Sequence, residues 1–332
     1  MDKSSLFPLS GMNVFSLRKH LRKVTFLLNG IFGNYRRTVW LIGDGRSGTT
    51  WVSNLINWDK RYRELFEPFH PWRLRPPFQM HHYIRCHDEK NPLDSVIDKV
   101  FSGRVLDDRV NEDNTGYWYR GLLVKDIFAT LLAAKVKHDR PDIKVVLLIR
   151  NPFAVALSKY HKRGWHWMTE PTAFLENREL VEDHLSPFVA IIEACEDDYI
   201  LKQILIWSIV HYVFFRQFQE KDVYIVFYEE LYMHPETELK NLFTFLQDEP
   251  VTEIADTVMQ QLKKLSKVSG KTSTFMRGMS PIESWKNEIQ PDVLEKGRHI
   301  LETFGLDELY DANGLPHSEM LRILFEKRCH DQ

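Results

Sequence analysis

LIGDGRSGTTW, residues 41–51, has the skeleton of a phosphate-binding glycine loop. Gly43 and Gly48 stand five positions apart, as in G-x-x-x-x-G-K-[ST]. The apolar, β-rich run Thr38–Ile42 leads straight into the loop, and Thr49–Trp58 follows with a helical pattern. A loop between a buried strand and a helix start turns backbone N–H groups on an anion, and the helix dipole adds to the attraction. Gly43, Gly45 and Gly48 permit close approach, while Thr49 and Thr50 add hydroxyl donors. A tight turn without a ligand is the competing reading, and the strand ahead of the loop argues against it. The position that should hold the lysine holds Thr49, however, and the basic residue comes three places early, as Arg46.

Outward from the loop, apolar runs alternate with helical patterns. Short strands are predicted at Glu64–Phe66 and Gly121–Val124, a central strand at Lys144–Ile149 and a further strand at Val223–Phe227. Helices are predicted from about Ile127 to His138, from Pro152, over Asp198–Gln219 and from Pro235. Strand and helix in alternation predict an α/β fold: a parallel sheet of about five strands flanked by helices, with ligands beyond the carboxyl ends of the strands. The stretches at about 68–120 and 164–197 fit no sheet element and are read as insertions over the active site, within a single domain at 38–332 behind a basic segment at 1–37.

In nucleoside triphosphatases the loop lysine bridges two phosphates, and a strand-end Asp helps to hold magnesium. Here the strand at 144–149 ends in Arg150-Asn151. The missing lysine and the missing acid agree, and both suit a donor with fewer adjacent charges, handled without metal. A sulfuryl group meets that description. Arg150 at a strand end and Ser158 on the next helix form a second anion anchor, since a guanidinium grips a phosphate through two hydrogen bonds. Two anchors at one sheet edge imply a ligand with two phosphate-like ends.

With these residues in view, the chain resembles the sulfotransferases that use 3′-phosphoadenosine-5′-phosphosulfate (PAPS). GRSGTTW at 45–51 looks like their 5′-phosphosulfate loop, and RNPFAVALSKY at 150–160 like their 3′-phosphate motif, with Asn151 where Asp is usual. The segments 226–246, 284–289 and 304–310 are similar to later parts of bacterial and carbohydrate members. The resemblance implies that Arg46 stabilises the leaving 5′-phosphate. It implies that Ser47, Gly48, Thr49, Thr50 and Trp51 line the phosphosulfate, that Arg150 and Ser158 hold the 3′-phosphate, and that Lys271 and Trp285 reach the nucleotide. Ser269, Thr272 and Ser273 share the Lys271 cluster, and a core tryptophan is the other reading of Trp285. Glu67, in LFEPFHP, is the expected base for the acceptor hydroxyl, and His70 is its rival. No metal is expected, because His81, His82, Cys86 and His87 match no standard ligand spacing. Lys125 is read as facing the site or solvent, and Glu229 and Glu230 as structural. The tryptophans of Trp165-His166-Trp167 suggest a stacking surface for a sugar, hence a carbohydrate or glycolipid acceptor; packing in the core is the other reading. A magnesium-dependent kinase and a non-catalytic binder of adenosine bisphosphate are the alternatives.

Composition limits the partners. The 332 residues are 43% hydrophobic and 27% charged, with net charge −2, so no global field points to nucleic acid. Three cysteines are too few for a disulfide framework. No apolar run approaches the roughly 18 residues of a membrane span, and a cytoplasmic protein is expected. Residues 1–37 are nonetheless basic, with Leu17, Leu21, Val24 and Leu28 at helical spacing. An amphipathic helix docked by that stripe on its own domain is the favoured reading, and peripheral contact with anionic lipid the other.

Overall fold

The computed structural model describes residues 14–73, 82–162, 166–265 and 281–326, without the side chains of 14–16 and 263–265. The elements run α1 (Val14–Ile31), β1 (Arg37–Gly43), α2 (Thr49–Ile56), β2 (Tyr62–Phe66), α3 (Asp94–Phe101), β3 (Gly121–Asp126), α4 (Ala133–Asp139), β4 (Lys144–Ile149) and α5 (Pro152–His161). The short α6 (Arg178–Leu180) and α7 (Val189–Glu193) precede α8 (Tyr199–Gln217), β5 (Val223–Phe227), α9 (Tyr228–Met233), α10 (Pro235–Gln247), α11 (Asp256–Leu265), α12 (Pro291–Thr303) and α13 (Ser318–Glu326). The five strands form one parallel sheet in the order β2-β3-β1-β4-β5, so all their carboxyl ends share one edge.

Side chains alternate across a strand, and both faces of this sheet are covered. Trp40, Ile42, Val124, Leu147 and Ile149 pack toward α8 residues such as Trp207 and Phe214. Val39, Leu41, Leu123, Val146 and Leu148 pack toward residues of α2 and α10 such as Leu55 and Leu242. Hence β1 and β4 read as unbroken apolar runs. The outer edge of β2 is closed by the segment before β3: Asn114 accepts from Glu64 N–H at 2.9 Å and donates to Glu64 C=O at 2.7 Å. That pairing hides a sheet edge that would otherwise offer free backbone groups.

The N-terminal helix departs from the expected docking. Leu17, Leu21 and Val24 of its apolar stripe are exposed, and Leu28 is half-buried. The opposite face makes the contact. Phe26 is buried against Tyr119 and the Arg63 guanidinium. Asn29 donates to Tyr117 C=O and accepts from Tyr119 N–H, while Lys19 and Lys23 pair with Asp108. Satisfying buried polar groups decided which face packs, and hydrophobic spacing alone carries no such information. Among the described residues no helix is long and apolar enough to cross a membrane.

Candidate active site

The glycine loop leaves β1 at Gly43 and enters α2 through Gly48, whose φ of 104° is left-handed. A side chain at Gly48 would also meet the Tyr228 ring at 2.9 Å. Arg46, at the tip, holds φ 72° without being glycine. Beneath it, Ser47 spends its donors on the loop itself: N–H and Oγ–H both go to Asp44 C=O, at 3.2 and 2.6 Å. Ser47 therefore shapes the loop from within. Asp44 is anchored in turn by the buried Lys159 of α5 at 2.7 Å, which also donates to Gln203 at 2.9 Å. Thr49 is buried and Thr50 exposed at the helix start. Trp51 sets its indole edge-on to Tyr228, with centroids 5.4 Å apart.

The second anchor joins the first. The Arg46 Nε–H donates to Ser158 Oγ at 3.2 Å. The Arg150 guanidinium donates to the carbonyls of Arg46 at 3.1 Å and Pro281 at 2.8 Å, and lies 4.4 Å from the centroid of the Tyr228 ring. Its buried Nε–H has no partner among the described residues. Partial removal from water, then the charge of Arg150, lower the pKa of Arg46. Two cations that repel each other at the head of a helix form an electrostatic vessel for an anion. Asn151 follows as the N-cap of α5, its Oδ1 accepting from Phe153 and Ala154 N–H. Its own N–H donates to Glu229 at 3.0 Å. Burial raises the Glu229 carboxyl to about 7, and Tyr310 O–H donates to it at 3.3 Å.

Across β1, the ends of β2 and β3 bring up different chemistry. Glu67, at φ 48°, accepts from the buried Lys125 ammonium at 2.5 Å, and that ammonium also sits 4.4 Å from the centroid of Phe66. The next residue, Asp126, is fully buried, accepts from Phe69 and Phe128 N–H, and is pushed up to about 7 by burial. His70 packs edge-on to Phe128 and Trp167, at 4.8 and 4.6 Å between centroids, and Trp72 packs on Trp167 at 4.6 Å. Burial first, then Arg73, lower the pKa of His70. Its Nδ1 accepts from Trp72 N–H at 3.2 Å, so the neutral ring carries its proton on Nε2.

A sulfotransferase domain model matches residues 36–312, which contain Arg46, Arg150, Ser158 and Glu67. The chain belongs to the sulfotransferase family. It is a sulfotransferase that uses PAPS as donor. Among solved structures, mouse sulfotransferase SULT7A1 complexed with PAP is similar, at 13% identity and TM-score 0.42 over 87% of this chain and 88% of that one. A sulfotransferase from Alicyclobacillus acidocaldarius is similar at 15% identity and TM-score 0.38, over 75% and 98%. The sulfotransferase domain of the Synechococcus PCC 7002 olefin synthase is similar at 15% and 0.41, over 83% and 95%. No curated protein matches. At such low identities and scores the domain model alone carries the assignment.

The residues of this sulfotransferase fit a PAPS molecule: a left-handed glycine at a helix start, two convergent guanidiniums, and an Arg150 Nε–H without a partner among the described residues. Trp285 does not join them. It is 4% exposed, stacked on Phe153 at 5.1 Å between centroids, so the core holds it. Lys271 and its cluster, Trp165 and His81 lie outside the described residues. No group of three metal-ligating side chains occurs among the described residues. Sequence reasoning missed Tyr228, Trp72 and the Asp44–Lys159 pair. A lysine inside the apolar run of α5 was the one available signal for the last of these.

Proposed function

We propose that this sulfotransferase moves the sulfuryl group to a carbohydrate hydroxyl, with Glu67 as the base and Arg46 stabilising the departing 5′-phosphate. PAPS, when bound, supplies the activated sulfuryl group. Gly48, Thr49 and Thr50 present the helix start to its phosphosulfate end, and Arg150 with Ser158 takes the 3′-phosphate. Arg46 sits between those anchors, where negative charge grows as the bond to the 5′-phosphate breaks. Glu67 faces it from the other half of the sheet and takes the acceptor proton. Lys125 orients that carboxylate.

The observation that favours a sugar is the aromatic group of His70, Trp72 and Trp167 beside Glu67, with Trp72 exposed. Flat rings of this kind stack on the apolar faces of sugars. Transfer of labelled sulfate from PAPS to a glycan panel tests the proposal. Glu67→Gln should lower kcat by roughly 10²–10⁴-fold, the usual worth of a positioned base. If it leaves turnover intact, the base role passes to His70, which its lowered pKa keeps neutral at pH 7. Failure of every glycan, with transfer to a phenol or steroid instead, would overturn the acceptor class.

A further inference from the structure

The apolar row of α1 recurs every three or four residues and so forms one face of the helix. That face is turned to solvent: Val24 is 54% exposed and Ile31 76%, and Leu17, Leu21 and Leu27 are exposed as well. It broadens at the carboxyl end, where Phe32 is 66% exposed and Trp118 56%, their ring centroids 6.4 Å apart. The other face of the helix is committed to the domain through Phe26, Asn29 and the Asp108 ion pairs. Among the described residues, internal packing therefore does not account for the exposed row. A contiguous apolar band of this kind marks an interaction surface.

Its borders are cationic. Arg18 lies exposed on α1, and the exposed Arg36 and Arg37 follow it; Lys19, Arg22 and Lys23 are engaged with Asp108 and the Asn114 carbonyl on the docked face. We propose that this face docks on an anionic membrane surface. The aliphatic row and the Phe32–Trp118 pair enter the boundary between headgroups and acyl chains, and the flanking cations meet lipid phosphates. A second copy of the chain fits less well. A paired-helix seam is narrow, whereas Leu27, Phe32 and Trp118 widen this face beyond the row. Self-pairing would also bring the exposed Arg18 side chains together.

Sedimentation of the 332-residue chain with vesicles tests the proposal without measuring sulfate transfer. Vesicles of phosphatidylcholine with about 30% phosphatidylglycerol should bind at least about tenfold more chain than phosphatidylcholine alone. Salt near ~0.5 M should release most of it. The triple variant Leu21→Gln, Ile31→Gln, Phe32→Gln should lose about tenfold or more of the binding while its circular dichroism and nucleotide binding stay unchanged. Trp118→Gln, on a different segment, should lower binding in the same direction. Absence of binding to anionic vesicles, or binding that neither variant lowers, overturns the proposal. So does a dimer, seen by light scattering, that the triple variant dissolves while vesicles bind nothing.

Discussion

At Arg46 two demands meet in one residue. The loop needs a left-handed backbone at φ 72°, and the chemistry needs a cation there. A side chain in that conformation costs about 1 kcal/mol that glycine would avoid. Arg46→Ala should lower kcat by about 10²–10³, the loss seen when one charge-stabilising donor is removed from a transition state. Arg46→Gly should be equally impaired, yet more stable than Arg46→Ala by about 1 kcal/mol in urea unfolding. Equal stability of the two would show that the backbone carries no strain at this position. Glu67 repeats the pattern with φ 48°, so both residues assigned to the reacting atoms sit on backbone that most side chains avoid.

Among the elements, α5 carries the second anchor, and its start depends on Asn151. Removing that cap, in Asn151→Ala, should cost about 1 kcal/mol. Asn151→Asp should keep the cap and hold nucleotide affinity within a few-fold, since carboxylate and amide oxygens accept the same two N–H groups. Titration calorimetry and thermal unfolding check both. The neighbouring Glu229 makes a pH-dependent contribution. Burial raises its folded pKa from 4.5 to about 7, so the folded state holds a proton that the unfolded chain releases. Its share of the stability is therefore full below pH 4.5 and falls as pH rises through the window to about 7, by at most about 1.4 kcal/mol per pH unit. Glu229→Gln should flatten that part of the curve; an unchanged difference across the window would refute the raised pKa.

These elements also show what the chain disclosed before its structure. The strands were legible because β1, β4 and β5 are apolar runs bounded by turn residues, and α5 because Pro152 opens it. The glycine loop and Arg150 followed from their positions at strand ends. The contacts Asp44–Lys159 and Glu67–Lys125 were not legible, because they join residues 115 and 58 positions apart. The burial of Trp285 was not legible for the same reason: the ring it stacks on, Phe153, comes from a distant helix. The stripe on α1 was visible, but the direction it faces depended on Asn29 and Asp108 meeting their partners.

For the molecule as a whole, the proposed donor site spans the end of β1 and the end of β4, two central strands, so binding there should stabilise the fold globally. Adenosine 3′,5′-bisphosphate at about 100 times its Kd should add roughly 2.7 kcal/mol and raise Tm without magnesium. Arg150→Ala should weaken that binding about 10- to 100-fold, in keeping with the roughly 1.5–3 kcal/mol of a charged hydrogen bond. A shift that survives the substitution would remove Arg150 from the nucleotide site. The strand order carries a further consequence. Because β1 lies at the centre, the proposed 3′-phosphate grip falls on its β4–β5 side and the proposed base, with His70 and Trp72, on its β3–β2 side. The two halves meet at Arg46 and at Trp167, which comes from the chain after α5 and packs on His70 and Trp72. Exchanging the chain between β2 and β3 for a relative's, with Trp167 kept, should therefore change the alcohol taken while the same nucleotide is read.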